Sequence, residues 1–260
     1  MKAQTMPTVF IGHGSPLNAL EENRYTRGWR QLAESLPRPR AILAISAHWY
    51  TRGTLITSGE QQRTIHDFHG FPPALYECNY PAAGSPQLAR QIQEQLSPLD
   101  VKLSEDWGLD HGTWSILLKM YPEADIPVLQ LSIDATRYGE FHYQLGQQLR
   151  PLRDQGVLIL GSGNVVHNLG LMRWDQATPP YPWAQNFDRW IRDALVRGDH
   201  DSLIHFEHAG GDARLSVPTP EHFLPLLYIA GASDSADKVS FPTEGIELGS
   251  ISMLSALYSQ

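Results

Sequence analysis

A single cysteine, Cys78, in 260 residues removes two architectures at once. No internal disulfide can form, and no zinc site built from several thiolates is available. Basic residues are also scarce: 20 Lys and Arg stand against 28 Asp and Glu, a formal charge of -8. Without a basic tract to neutralise phosphates, nucleic-acid binding is not expected. No stretch approaches the ~20 apolar residues of a membrane helix. The opening MKAQTMPTVFIGHG carries one lysine and an apolar run too short for a secretory signal, so the expected location is the cytoplasm, off the membrane. There is no G-x-G-x-x-G and no G-x-x-x-x-G-K, so a nucleotide cofactor has no support. Gly161-Ser162-Gly163 lacks the spacing of a nucleophile elbow. Repeats, low-complexity tracts and a linker are missing too, which leaves one domain over 1–260. No hydrophobic interface stands out, and a monomer is expected.

What the chain does hold is an ordinary soluble balance, 42% apolar and 18% charged, with an unusual eleven histidines. Short apolar runs at 8–14, 41–49, 126–133 and 156–164 read as buried strands. Helical spacing covers 20–36, 85–96, 111–121, 138–153, 183–197 and 221–230. Ser85 and Pro86 form an N-cap and first-position pair for the second of these helices, and 51–84 reads as loop. Strands of this kind alternating with helices predict an α/β fold, a single domain whose sheet is covered on both faces.

The histidines recur at strand ends. One strand runs into Gly12-His13-Gly14-Ser15-Pro16, another into Ser46-Ala47-His48, and a third through Gly161-Ser162-Gly163-Asn164 to His167. Open α/β sheets bind ligands beyond the carboxyl ends of their strands, so three such strands, if parallel neighbours, bring these histidines to one crevice. The glycines beside His13 would leave room for a ligand. His222 follows Thr219 and Pro220, a cap and first position, in the first turn of a helix whose dipole favours neutral imidazole, the form a metal requires; Pro225 would then bend or shorten that helix. His111 starts a further helix. A lone histidine at a strand end is more often a hydrogen-bonded structural residue; the repetition is what raises a shared metal or catalytic site. His66-Asp67-Phe68-His69 has ligand-like spacing but reads as a loop wall, His205 and His208 as a solvated face, His142 and His200 as surface, and Cys78 as packing.

The segments GHGSP, SAHW, HDFHGFPPALYECNYPAAG, GLDHGTW, GSGNVVHNL and PTPEHFLPLLYIAGA, in this order, resemble the class III extradiol ring-cleaving dioxygenases, most of all the group of 4,5-DOPA dioxygenase extradiol with its bacterial members. The resemblance runs from about residue 7 to the carboxyl terminus. It implies a mostly parallel or mixed sheet flanked by helices, with one mononuclear divalent metal at the carboxyl edge of the strands. It implies His13, His48 and His222 as metal ligands, His167 as catalytic acid–base and as a fourth ligand when zinc is bound, and His111 as a further active-site histidine. Zinc is implied in the isolated protein and iron(II) for ring cleavage. Enzymes of the family that act on protocatechuate place glutamate at the third ligand position; here His222 stands there, with Glu221 beside it. The implied partners are a small catechol such as DOPA and O2. Trp49 and Phe71, with Tyr50, Phe68 and Trp114, could wall a planar substrate, although core packing explains each of them as well. Two other readings remain open from the residues alone: a zinc-dependent hydrolase, with His167 carrying the proton of an activated water, and a non-enzymatic metal-binding protein on the same fold.

Overall fold

The computed structural model describes residues 5–174 and 179–260; Lys2, the lysine of the amino-terminal reading, lies outside them. In chain order the elements are β1 (Thr8–Gly12), α1 (Arg24–Ser35), β2 (Ala41–Thr51), β3 (Leu55–Thr57), α2 (Pro73–Tyr76), α3 (Pro86–Gln95), β4 (Lys102–Ser104), α4 (His111–Met120), β5 (Val128–Asp134) and α5 (Gly139–Leu149). They continue with β6 (Val157–Gly163), α6 (Pro182–Arg197), α7 (His200–Ile204), α8 (Gly211–Ser216), α9 (Leu224–Ala232), β7 (Lys238–Ser240), β8 (Ile246–Glu247), β9 (Ile251–Ser252) and β10 (Ala256–Ser259). Eight strands form one mixed sheet in the order β4-β3-β5-β2-β6-β1-β10-β7. Its centre, β5-β2-β6-β1, is parallel, and β10 closes onto β1 antiparallel, so both chain ends share one sheet. This is the expected single-domain α/β fold.

Alternation along the central strands divides the core. Phe10, Leu43, Ile45, Leu131 and Ile159 point to one face, where α3, α5, α6 and α9 pack. Val9, Ile11, Ile42, Leu158 and Leu160 point to the other, against α1 and α4. Burial on both faces explains why these strands read as near-continuous apolar runs. Among the described residues no helix is long and apolar enough to cross a membrane.

The departures from expectation lie at element ends and have local causes. The helix expected from 20 begins at Arg24, because Asn23 closes a capping box with Thr26 and a 3-10 turn, Pro16–Ala19, takes up the chain before it. The helix expected over 138–153 stops at Leu149 and tightens into a 3-10 turn, since Pro151 brings no N–H to continue it. The segment 51–84 holds β3 and α2. The helix expected over 221–230 is two pieces, a 3-10 turn Pro220–His222 and then α9, with Pro225 seated in the first turn of α9 where it does no harm.

β2 carries the irregularity that matters most. It pairs with β5 in step to Ile45↔Leu131 and resumes at Tyr50↔Ile133, five steps on β2 against two on β5. The surplus chain between them bulges, and it contains His48. Bulges of this kind re-aim side chains beside functional sites.

His142, expected at the surface, is instead fully buried between α5 and α9, with Nδ1 2.9 Å from the Tyr228 hydroxyl. Burial lowers its pKa to about 4. A histidine held neutral in the fold but free to protonate near 6.5 in the unfolded chain contributes stability above 6.5 that is lost as the pH falls towards 4. The contribution of His142 over that window is about 3 kcal/mol. Denaturant unfolding from pH 7 to pH 4 should therefore show a smaller acid loss in His142→Leu than in the parent. Equal slopes would refute the assignment.

Candidate metal centre

β2, β6 and β1 are adjacent and parallel, with Ser46 level with Ser162 and Gly12 level with Gly163. His13 follows β1 directly, His48 stands in the β2 bulge, and the turn that holds His222 lies against the end of β6, where Asn164 N–H donates to the His222 carbonyl at 2.9 Å. Ring centroids are 5.1 Å apart for His13–His48, 5.4 Å for His13–His222 and 5.1 Å for His48–His222. One nitrogen from each ring lies within 4.8 Å of the others. His13 Nε2 and His48 Nε2 are 3.2 Å apart. Two nitrogen ligands of a tetrahedral ion at 2.0–2.1 Å stand about 3.3 Å apart, so the spacing suits an ion.

The partners of the other ring nitrogens fix which atom is free. The Ser162 hydroxyl donates to the Gly112 carbonyl at 2.5 Å, so its oxygen accepts from His13 Nδ1–H at 2.9 Å. Glu221 accepts from His222 Nδ1–H at 3.1 Å. Asp67 Oδ2 faces His48 Nδ1 at 3.1 Å. Each ring thus carries its proton on Nδ1 and turns the Nε2 lone pair inward. His222 Nε2 is buried with no hydrogen-bond partner. A buried unpaired polar atom costs about 1–3 kcal/mol, which a cation at the point of convergence would offset.

Burial, then the neighbouring His48, pushes the His13 pKa well below its usual value. Burial, then His167, does the same for His222. The helix dipole is not the cause for His222, because its turn is not part of α9 and Thr219 turns its hydroxyl to Glu221 instead of capping. His48 differs. Burial would lower it, but Asp67, Asp110 and Glu221 together outweigh burial and raise it. A proton on His48 therefore competes with a metal for the site, and acid should weaken binding.

Two further histidines flank the three. His111, first residue of α4, directs Nδ1 to Asp67 Oδ2 at 3.0 Å, and its ring centroid is 3.9 Å from that of His48. Burial and His48 lower its pKa. His167 lies flat on His222, 3.5 Å away and 9° from parallel. Burial lowers its pKa to about 4. One of its nitrogens groups with His222 and Glu221, in a set that leaves out His13 and His48. In-plane lone pairs on parallel stacked rings run side by side and do not converge on one ion, which weighs against the expected fourth-ligand role.

Other expectations fare differently. The glycines beside His13 make room for protein, not ligand: a Cβ on Gly12 would strike the backbone at Ser252–Leu254, and one on Gly14 would strike Met253. Trp49 is buried and stacks on Trp107 at 5.8 Å, and Trp114 is fully buried with Nε1 bonded to the Ile65 carbonyl. Phe68 packs edge-on to His111 at 5.6 Å, and Phe71 packs on Phe68 at 5.2 Å, so the aromatic wall comes from this loop. His66 serves that wall, with Nε2 3.0 Å from the Cys78 carbonyl. His205 and His208 stack on each other away from the centre. His200 is half-buried against the Tyr143 hydroxyl. The residue that sequence reasoning passed over is Asp67. Its signal is present in His66-Asp67-Phe68-His69, where the carboxylate stands between two histidines of ligand-like spacing.

Gly112 allows the centre to close. A Cβ there would lie 2.6 Å from Ser46 Oγ, 2.8 Å from His48 Cδ2 and 3.2 Å from Ser162 Oγ. Gly112→Ala should displace His48 and lower zinc affinity at least tenfold while far-ultraviolet circular dichroism stays parental. Parental affinity in a competition titration would show that the packing does not position the ring.

The profile of the catalytic LigB subunit of aromatic ring-opening dioxygenase matches residues 8–257. A protein of Escherichia coli (strain K12) named 4,5-DOPA dioxygenase extradiol is 51% identical over 260 residues, covering 98% of this chain and 95% of its own. One of the same name from Beta vulgaris is 42% identical over 243 residues, covering 89% and 88%. A crystal structure of an uncharacterized protein from Escherichia coli K12 superposes with a TM-score of 0.85 at 46% identity, over 97% of this chain and 99% of that one.

Proposed function

The chain belongs to the family of the catalytic LigB subunit of aromatic ring-opening dioxygenases, and from that membership we propose that it opens catechols of the DOPA class by 4,5-extradiol cleavage at one divalent metal held by His13, His48 and His222. The observation that carries the metal assignment is the set of three tied Nδ1 atoms with three Nε2 lone pairs directed inward. Three neutral nitrogen ligands without a carboxylate suit zinc as well as iron. We assign zinc to the protein as isolated and iron(II) to the active form. Iron(II) supplies the redox route between a closed-shell catechol and O2 that their direct reaction lacks.

The residues around the centre manage protons and shape. His167 is uncharged near neutral pH because burial holds its pKa at about 4, so a ring nitrogen is free to accept a catechol hydroxyl proton and return it later. His111, with Nδ1 committed to Asp67, keeps Nε2 as a second proton acceptor on the opposite flank. Once protonated, it can donate to developing negative charge. Phe68 and Phe71 offer apolar edges to a flat ring beside His111. The proposal keeps a monomer in the cytoplasm, a reducing compartment that the lone cysteine suits.

Anaerobically iron-loaded protein given DOPA, caffeate or other small catechols should consume one O2 per catechol and form a coloured semialdehyde. No uptake with any catechol would overturn the reading. His13→Ala and His48→Ala should each lose bound metal, and full occupancy in either would remove that residue from the ligand set. His167→Ala should keep its metal and lose at least a hundredfold in kcat; near-parental turnover would exclude the acid–base role.

A further inference from the structure

We propose that Asp67 is a positioning residue that serves two histidines at once, holding the metal ligand His48 and the proton acceptor His111 in matching tautomers. The inference rests on the function proposed above and extends it to a carboxylate outside the ligand set. Three N–H groups meet at this one side chain. Oδ1 accepts the backbone N–H of His111 at 2.8 Å, while Oδ2 lies 3.0 Å from His111 Nδ1 and 3.1 Å from His48 Nδ1. One ring nitrogen each of His48 and His111 and one carboxylate oxygen of Asp67 fall within 4.8 Å of one another.

The arrangement constrains both rings. A carboxylate is acceptor-only, so each facing Nδ1 must carry a proton, and in the neutral ring Nε2 is then bare. On His48 the bare Nε2 is the atom 3.2 Å from His13 Nε2. On His111 it is the ring nitrogen that the carboxylate leaves uncommitted. A carboxylate that orients an imidazole and supports its charged form is the arrangement found in hydrolytic triads, and carboxylates behind ligating histidines tune metal affinity. Here a single carboxylate does both, because His48 and His111 come together at a ring separation of 3.9 Å. The residue also fixes the loop: Phe68, the next in sequence, is the ring that packs on His111.

Asparagine at position 67 preserves shape and removes what the proposal requires. An amide has one acceptor oxygen, so if that oxygen takes the His111 backbone N–H, the NH2 group faces two ring N–H groups. Asp67→Asn should lower zinc affinity 10–100-fold in a competition titration, as loss of an outer partner does at other sites. After iron loading at saturating metal, kcat should fall at least tenfold with KM for the catechol within about threefold, the pattern of a lost transition-state contribution. Parental zinc affinity together with parental kcat would overturn the proposal. A parent that binds zinc but cleaves no catechol, alongside an Asp67→Asn protein with weakened zinc binding, would refute the proposed activity and leave the positioning of His48 in place. A second measurement needs no variant. In zinc-loaded parental protein, nitrogen-15 NMR should find the His48 and His111 side-chain protons on Nδ1; a proton on Nε2 of either ring would overturn the proposal even if Asp67→Asn failed to fold.

Discussion

Three imidazole lone pairs turned towards one buried point repel one another, and a fold that brings them together must oppose that repulsion with something stronger. Here the opposition comes from the far side of each ring. Ser162, Asp67 and Glu221 take the three Nδ1 positions, and each of these acceptors is itself anchored: Ser162 by the Gly112 carbonyl, Asp67 by the backbone of α4, Glu221 by Thr219. The parallel order β2-β6-β1 supplies the platform, since it alone puts the ends of three strands side by side. Remove the outer acceptors and the rings are free to rotate apart; remove the strand order and they never meet.

The same acceptors redistribute charge. The proposed ligand set is neutral, which taken alone would leave a divalent ion fully uncompensated. Two carboxylates stand one atom layer further out, Asp67 behind His48 and Glu221 behind His222. Each also lies near a histidine outside the central set, Asp67 by His111 and Glu221 by His167. Negative charge is therefore close enough to stabilise an ion and remote enough to leave its inner positions to other molecules. The centre is close to symmetric in this respect, a carboxylate and a further imidazole on either side.

Much of this was legible in the sequence. Strands buried on both faces announce themselves as apolar runs, and the sharp change at Gly12-His13 and Ala47-His48 marks their functional ends. Alternation could not reveal the order of the strands, because a residue's neighbours across a sheet are set by crossovers and not by its own segment. Asp67 escaped for a related reason. A carboxylate in a loop of glycine, proline and aromatics has no periodicity to betray a buried partner, and its partners are more than forty residues away along the chain or on another strand. His142 misled because a histidine in a polar helix looks solvated until α9 is known to lie across it. Helix ends depart from expectation where prolines and the Asn23 box act, signals that are local but easily outweighed by a longer apolar rhythm.

The bulge in β2 has a mechanical consequence. Between Ile45 and Tyr50 the strand has more contour length than its partner β5 uses over the same interval. The stiff ladder is pinned on both sides of that slack, so a displacement of His48 by a fraction of an ångström can be absorbed there without shearing the sheet or loosening the core beneath it. The same residues on an unbroken strand would have to move the whole ladder to adjust to ions of different radius. The slack thus serves His48 among the proposed ligands, while His13, one residue beyond β1, has no such bulge behind it.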